Sequence, residues 1–167
     1  MSDPEHTENP PPETEQAPKK RQAWKSLLIY GGILLAVYFG HVQIQTFLGQ
    51  RALDNVALEL ISFDEALIRS AESGKPVLLD VSAIWCPSCR KLDSKVLSRP
   101  DVQALIEEHY VFTRVEFESD QGVALQERYG IKGFPTLLVL NSNGDRLRAL
   151  NLTFDPEAFK TLLTRTH

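Results

Sequence analysis

Residues 80–89 read DVSAIWCPSC, and the two cysteines of this stretch are the only cysteines among the 167 residues of the chain. A short apolar run at residues 77–81 leads into the stretch and is typical of a strand buried at the centre of a sheet. The residues after it, through Leu92 and Val96, have helical spacing. The pattern therefore predicts a buried strand, a short turn and a helix that begins at Cys86.

The position of Cys86 and Cys89 at the start of a helix favours redox chemistry. A thiolate there faces unpaired backbone N–H groups and the positive end of the helix dipole, which stabilise the charged sulfur. We expect Cys86, at the exposed first position, to be the nucleophile. Cys89, about one turn later, would then resolve a mixed disulfide formed at Cys86. A structural disulfide and half of a metal site are the alternatives.

A metal site would need ligands that the sequence does not place near this pair. Zinc would require two more ligands, whereas His41 lies in an apolar segment and His109 and His167 have no partner motif. The only methionine is Met1, which leaves copper without its usual ligands. Two cysteines also exclude a multi-disulfide scaffold. We expect neither a metal nor a cofactor.

Composition divides the chain into a tail (residues 1–23), an apolar span (24–48), a linker (49–57) and an α/β domain (58–167). The net charge of -4 and the lack of a cationic face argue against a nucleic-acid partner. Residues 1–18 contain five acidic residues and five prolines and almost nothing that could form a core. We expect this acidic tail to be disordered.

The apolar run at residues 27–48 is long enough, at about 33 Å as a helix, to cross a bilayer. Residues 27–39 show no polar stripe, which favours a membrane anchor over the alternatives of a buried soluble helix or a cleaved signal peptide. Lys19, Lys20, Arg21 and Lys25 precede it, and only Arg51 follows closely. The positive-inside rule then predicts a cytoplasmic N-terminus and, in a bacterium, a periplasmic domain on the inner membrane.

The residues from about 58 onward alternate helical and strand patterns. Ser62 and Glu65 have the spacing of a capping box, Gly74 is typical of a helix end, and Asn143-Gly144 is a strong hairpin signal. We expect helices at residues 62–73, 86–96, 100–108, 122–129 and 154–164, and strands at 77–81, 110–117, 136–140 and 146–150. This order implies an α/β fold, a mixed sheet with helices on both faces and a hairpin at one edge.

Two motifs carry a resemblance to a known family. Residues 80–89 resemble the active site of the thioredoxin superfamily, and YGIKGFPT at residues 129–136 resembles the segment that carries its cis-proline. The similarity spans about residues 58–167 and implies a thioredoxin fold with a Cys86–Cys89 redox disulfide. It is greatest to the C-terminal periplasmic domain of the thiol:disulfide interchange protein DsbD, through GKPV at residues 74–77 and PDV at 100–102.

The resemblance implies roles for two carboxylates. Asp80 lies where the family has a buried carboxylate that exchanges protons with the second cysteine, here Cys89. The alternative is an aspartate that caps a turn or pairs with a lysine. Asp93 matches an acidic position near the dithiol of the DsbD domain, where it would tune a thiol pKa; its alternative is a solvated helix charge.

Three further residues are implied to contact substrate. Pro135 would be cis, with the backbone of Phe134 facing Cys86 and pairing with an extended substrate strand. Trp85 would shield the dithiol and contact a partner, or else be an ordinary core residue. The chain also departs from thioredoxin: Pro87-Ser88 replaces Gly-Pro between the cysteines, and Glu116 falls where cytoplasmic thioredoxins carry a lysine.

The function implied is an extracytoplasmic thiol–disulfide oxidoreductase that reduces protein disulfides. Because the apolar span contains no cysteine, such a reductase needs a separate membrane protein as its electron donor. A disulfide oxidase or isomerase is the first alternative. A non-catalytic thioredoxin-fold binding or chaperone module, in which the dithiol is structural, is the second.

Overall fold

The structure, a computed structural model, describes residues 19–164, with side chains from Trp24 onward. The acidic tail expected to be disordered, the side chains of the basic cluster at residues 19–21 and the final three residues lie outside this range.

A long N-terminal helix, α1 (Lys19–Leu53), precedes the α/β domain. Within its segment Trp24–Leu53, an 18-residue window has a mean hydropathy of 1.7 and contains no buried residue, so the segment is a candidate membrane span by length and composition. The helix continues past residue 48, where the predicted span ends, into the predicted linker. The described residues fall into two compact units, one that ends at Gly40 and one that begins at His41.

The second unit is built on a mixed four-stranded sheet with the strand order β2-β1-β3-β4. Central strand β1 runs parallel to β2 and antiparallel to β3, and β3 pairs antiparallel with β4 as the predicted edge hairpin. The elements are α2 (Phe63–Ser73), β1 (Val77–Ser82), α3 (Pro87–Leu92), α4 (Pro100–His109), β2 (Val111–Glu116), α5 (Asp120–Tyr129), β3 (Thr136–Leu140), β4 (Arg146–Leu150) and α6 (Pro156–Thr164). A π-helical turn, Asp93–Leu97, follows α3.

Alternation along β1 divides the hydrophobic core into two halves, one on each face of the sheet. Leu78 packs with Leu92 of α3, Ile106 of α4 and Phe159 of α6. Leu79 packs on the opposite face with α2 and α5. Asp80, two residues after Leu78, therefore lies on the face that carries α3, which brings its carboxylate beneath the start of that helix.

Polar caps define where the helices begin. Ser62 Oγ accepts a hydrogen bond from the Glu65 amide at 3.2 Å, and Gly74 ends α2 with φ 72°. The Glu65 carboxylate bonds Arg69 at 2.8 Å, so only half of the predicted capping box forms. Ser119 caps α5 through the Gly122 amide, and that helix therefore begins at Asp120, ahead of the predicted start at Gly122.

Candidate active site

The dithiol lies at the start of α3, just after the loop that follows β1. Cys86 is the N-cap of α3, and its Sγ accepts a hydrogen bond from the backbone amide of Cys89 at 3.1 Å. The hydroxyl of Ser88 lies 3.1 Å from the same sulfur. Pro87 occupies the first turn, where its missing N–H costs nothing. Both cysteines are free thiols, and the Cys86 sulfur faces the helix N-terminus as the sequence predicts.

The expectation that Cys86 is exposed is wrong, because only 2% of either cysteine is accessible to solvent. The two thiols form a small buried group with Ala83, against which Phe117 and Phe134 pack. Cys86 is covered because these two aromatic side chains, from the segments after β2 and before β3, meet over the start of α3. The Cys86 sulfur is therefore covered by packing from segments outside α3.

Trp85 extends the aromatic cover. Its ring meets Phe134 edge to face with centroids 5.3 Å apart, and Phe117 meets Phe134 at 4.6 Å. The indole N–H donates to the Glu118 carboxylate at 3.0 Å. With 36% of its surface exposed, Trp85 is not an ordinary core residue. We refer to Trp85, Phe117 and Phe134 as the aromatic cover.

The surroundings of Cys89 raise the pKa of its thiol. Loss of solvent is the largest influence and raises the pKa of the Cys89 thiol, and the adjacent Cys86 sulfur raises it further. The backbone of Ala83 opposes this shift. Cys89 is thus held as a neutral thiol near neutral pH, which suits a residue that acts second.

Asp80 and Asp93 are brought together by a residue that the sequence analysis did not identify, Arg114. Its guanidinium donates to Asp80 Oδ2 from Nε at 2.8 Å and from Nη2 at 2.6 Å. Nη1 donates to Asp93 Oδ2 at 3.2 Å, and Nη2 also bonds Asp93 Oδ1. The other oxygen of Asp80 accepts from the Ser82 hydroxyl. One largely buried arginine, with 10% of its side chain exposed, therefore bridges two buried carboxylates.

This bridge shows the surroundings of both aspartates. Asp80 is fully buried and paired with a cation, an arginine where a lysine was the alternative considered. Asp93 begins the π-helical turn and is buried, which excludes a solvated helix charge. Burial, its largest influence, raises the pKa of Asp93, and the hydrogen bonds and charge of Arg114 act against that rise.

The placement of Glu116 at the family's cationic position is corrected by the strand register. Asp80 pairs across the sheet with Arg114, whereas Glu116 pairs with Ser82, two residues further along. Glu116 instead accepts a hydrogen bond from the Ile84 amide at 3.2 Å. Burial raises the pKa of Glu116, and that hydrogen bond lowers it. The sequence did contain an indication of this role, since Arg114 is the only cation in the predicted strand at residues 110–117.

The second motif lies beside the dithiol. The peptide bond between Phe134 and Pro135 is cis, which is the isomer that the resemblance implies. The Thr136 hydroxyl, at the start of β3, donates to the Gly133 carbonyl at 2.7 Å. Because the Phe134 ring packs against the buried thiols, the two motifs, which lie 40 residues apart in sequence at their nearest ends, form one site.

Comparisons with known proteins agree with this geometry. Residues 63–167 match the model of the family described as a thioredoxin-like domain. The chain is 33% identical over 97 residues to thiol:disulfide interchange protein DsbD 2 of Pseudomonas aeruginosa, covering 57% of this chain and 16% of that protein. It is 32% identical over 103 residues to DsbD of Escherichia coli K12, covering 60% of this chain and 18% of that protein. The chain thus spans less than a fifth of the length of these relatives.

Solved structures show the same fold. A thioredoxin from Thermus thermophilus superimposes with a TM-score of 0.58 at 26% identity, covering 64% of this chain and 85% of the other. The reduced C-terminal domain of Neisseria meningitidis DsbD gives 0.51 at 26% identity, covering 59% and 89%. A protein described as a putative disulphide-isomerase from Bacteroides thetaiotaomicron gives 0.56 at 30% identity, covering 64% and 88%. With its family match over residues 63–167, its dithiol at the start of α3 and its cis-proline beside it, the chain belongs to the thioredoxin-like domain family.

Proposed function

We propose that this protein is a membrane-anchored reductase of protein disulfides outside the cytoplasm. The observation that carries the proposal is the hydrogen bond from the Cys89 amide to Cys86 Sγ at the N-terminus of α3. A donor aimed at this sulfur stabilises the thiolate, the form that attacks a disulfide. The buried neutral Cys89 thiol beside it supplies the second sulfur.

The reaction proceeds in two exchanges. The Cys86 thiolate attacks one sulfur of a substrate disulfide, a mixed disulfide forms, and the other substrate sulfur leaves and takes up a proton. Cys89 then loses its proton and attacks Cys86 Sγ, which closes the Cys86–Cys89 disulfide and releases the second substrate thiol. Two electrons pass to the substrate. We propose Asp80 as the group that accepts the Cys89 proton and Asp93 as a group that tunes a thiol pKa through their shared Arg114.

Regeneration of the dithiol needs an outside reductant. The chain has no cysteine besides Cys86 and Cys89. A dithiol of a separate membrane protein would therefore reduce the Cys86–Cys89 disulfide by the same exchange in reverse. The candidate span Trp24–Leu53 and the cations before it support an inner-membrane anchor with the domain in the periplasm.

Trapping of the intermediate tests the proposal. Cys89→Ala removes the resolving sulfur, so the variant should accumulate a mixed disulfide with insulin that a non-reducing gel resolves and dithiothreitol releases. Cys86→Ala is the matched control and should trap nothing. If Cys89→Ala traps no insulin although its thiol alkylates normally, the dithiol is structural and a binding or chaperone module replaces the reductase.

Disulfide isomerase is the second candidate, and the similarity to the Bacteroides protein favours it specifically. An isomerase restores activity to a substrate with scrambled disulfides without net reduction. Scrambled ribonuclease refolded by catalytic amounts of the chain, with no free thiols gained by the substrate, would select this candidate. Reduction that proceeds to free substrate thiols would select the reductase.

A further inference from the structure

The last turns of α1, residues 41–53, belong to the same compact unit as the redox domain. Side chains three or four positions apart on one helical face are covered, while the residues between them are exposed. The covered positions are Val42, Gln45, Thr46, Gly49, Ala52 and Leu53. This segment therefore packs on the domain through a defined face, although it lies outside the family match, which begins at residue 63.

Gly49 is where the helix backbone touches the active-site loop. A Cβ at this position would lie 1.8 Å from the Ile84 carbonyl oxygen and 2.9 Å from its carbon. Both are backbone atoms of the residue two before Cys86, so no side-chain movement relieves the overlap. Only glycine lets α1 approach this closely.

Ile84 is also held through its N–H. Its N–H donates to the Glu116 carboxylate at 3.2 Å, and the Cys86 N–H donates to the Ala83 carbonyl at 3.0 Å. The loop that delivers Cys86 to α3 is thus fixed between α1 and the end of β2.

A second contact reaches α3 after the cysteines. The Arg90 guanidinium donates from Nη1 to the Gln45 Oε1 at 2.5 Å. The Arg90 backbone N–H in turn donates to the Cys86 carbonyl at 3.0 Å. The same helical face therefore holds residues on both sides of the dithiol, one turn apart at Gln45 and Gly49.

We propose that residues 41–53 of α1 are a positioning element of the redox site, and that Gly49 and Gln45 are its positioning residues. The inference rests on the proposed function, since it assumes that Cys86 and Cys89 exchange disulfides. By holding Ile84 and Arg90, the helix fixes the backbone N–H groups around Cys86 Sγ and so sets the balance between dithiol and disulfide. The functional redox unit then begins near residue 41, and the membrane would be crossed by the residues of the candidate span Trp24–Leu53 that precede it.

The test uses the full chain in nanodiscs and compares Gly49→Val with Gly40→Val. A Cβ at Gly40 meets no atom within 4 Å, so the control places the same residue in the same helix without the overlap. We expect Gly49→Val to change the equilibrium constant with glutathione by about threefold or more and to shift the pH profile of Cys86 alkylation. Gly40→Val should match the parent in both measurements.

A second pair of variants, at Gln45, tests the proposal if Gly49→Val does not fold. Gln45→Leu removes the acceptor for Arg90, whereas Gln45→Glu keeps an oxygen there at the same chain length. The equilibrium constant and alkylation profile should shift in Gln45→Leu and return toward the parent in Gln45→Glu. Folded Gly49→Val and Gln45→Leu variants that both match the parent would overturn the inference. A parent that fails to reduce insulin would refute the reductase instead, and the alkylation profiles would still test the helix.

Discussion

Arg114 is the residue that allows two carboxylates to lie buried on one face of the sheet. Each carboxylate alone would lose solvation, and the pair would repel. The guanidinium fork meets both, which the point charge of a lysine could not do in the same geometry. Asp80 and Asp93 are therefore held as one unit, and the proposed proton transfer from Cys89 must pass through this unit.

Replacing Arg114 with methionine should destabilise the fold by about 3–5 kcal/mol, because two buried carboxylates lose their partner. Burial already raises the pKa of Asp93, so the folded state binds more protons there, and this contribution to stability falls as pH rises toward the folded pKa. Removal of Arg114 raises the pKa of Asp93 further. Urea unfolding should therefore show a greater loss at about pH 7.5 than at about pH 5.

Arg114→Lys is the control for this prediction, since it keeps the charge and loses the fork. Its loss of stability should be smaller and less dependent on pH. Equal losses at both pH values in Arg114→Met would contradict the account of the buried carboxylates.

The residues of the site differ in how far the sequence predicts them. Local pattern identifies Cys86, Cys89 and the strand before them, and the resemblance adds Asp80, Asp93 and Pro135. Arg114 was not predicted because its pairing with Asp80 is set by the parallel register of β1 and β2. The two residues are 34 positions apart in sequence. The burial of Cys86 was not predicted because it depends on aromatic side chains from two other segments.

At the scale of elements, the aromatic cover joins three segments that end near one point. Trp85 follows β1, Phe117 follows β2 and Phe134 precedes β3. Their edge-to-face contacts and the bond from Trp85 to Glu118 hold the cover together across the thiols. Substrate access to Cys86 thus depends on packing between segments and not on α3 alone.

Phe117→Ala should open this cover. We expect alkylation of Cys86 by iodoacetamide near neutral pH to become several-fold faster, while Cys89, whose pKa is raised by burial, stays largely unmodified. Mass spectrometry of the alkylated peptides separates the two sites. Leu147→Ala, an exposed apolar position on β4, is the control and should leave the rate unchanged.

An unchanged Cys86 rate in a folded Phe117→Ala variant would mean that this ring does not limit access. A general rise in the reactivity of both cysteines would indicate loss of folding instead. Thermal unfolding of the variant separates these outcomes.

Element boundaries show a similar limit of prediction. The order of helices and strands in the domain follows from periodicity and turn residues. The start of α5 does not, because Ser119, three residues before the predicted start at Gly122, caps the helix. The end of α1 also lies beyond the predicted span, because residues 49–53 stay helical by packing Gly49 and Ala52 against the domain.

At the scale of the whole molecule, the family match lies within the second unit and begins at residue 63. The long helix before it has the length and hydropathy of a membrane span. If it anchors the chain with the N-terminus in the cytoplasm, the dithiol lies in the compartment where disulfides persist.

Topology reporters test this orientation. Alkaline phosphatase fused after the domain should be active, and the same enzyme fused directly after Lys25, with the rest of the chain removed, should not. The full chain should also stay with membranes after carbonate extraction. Release of the chain by carbonate, or an active N-terminal fusion, would contradict the anchored periplasmic arrangement.

The central claim is the direction of electron flow, and the midpoint reduction potential of the Cys86–Cys89 couple tests it most directly. The measurement uses the full chain with Trp24→Phe, so that Trp85, which neighbours Cys86 in sequence and packs on Phe134, is the only tryptophan and reports the redox state in glutathione buffers. We predict a value near about -270 mV, as in thioredoxin. A value near about -120 mV, as in strong oxidants of this family, would make the protein a disulfide donor and contradict the account.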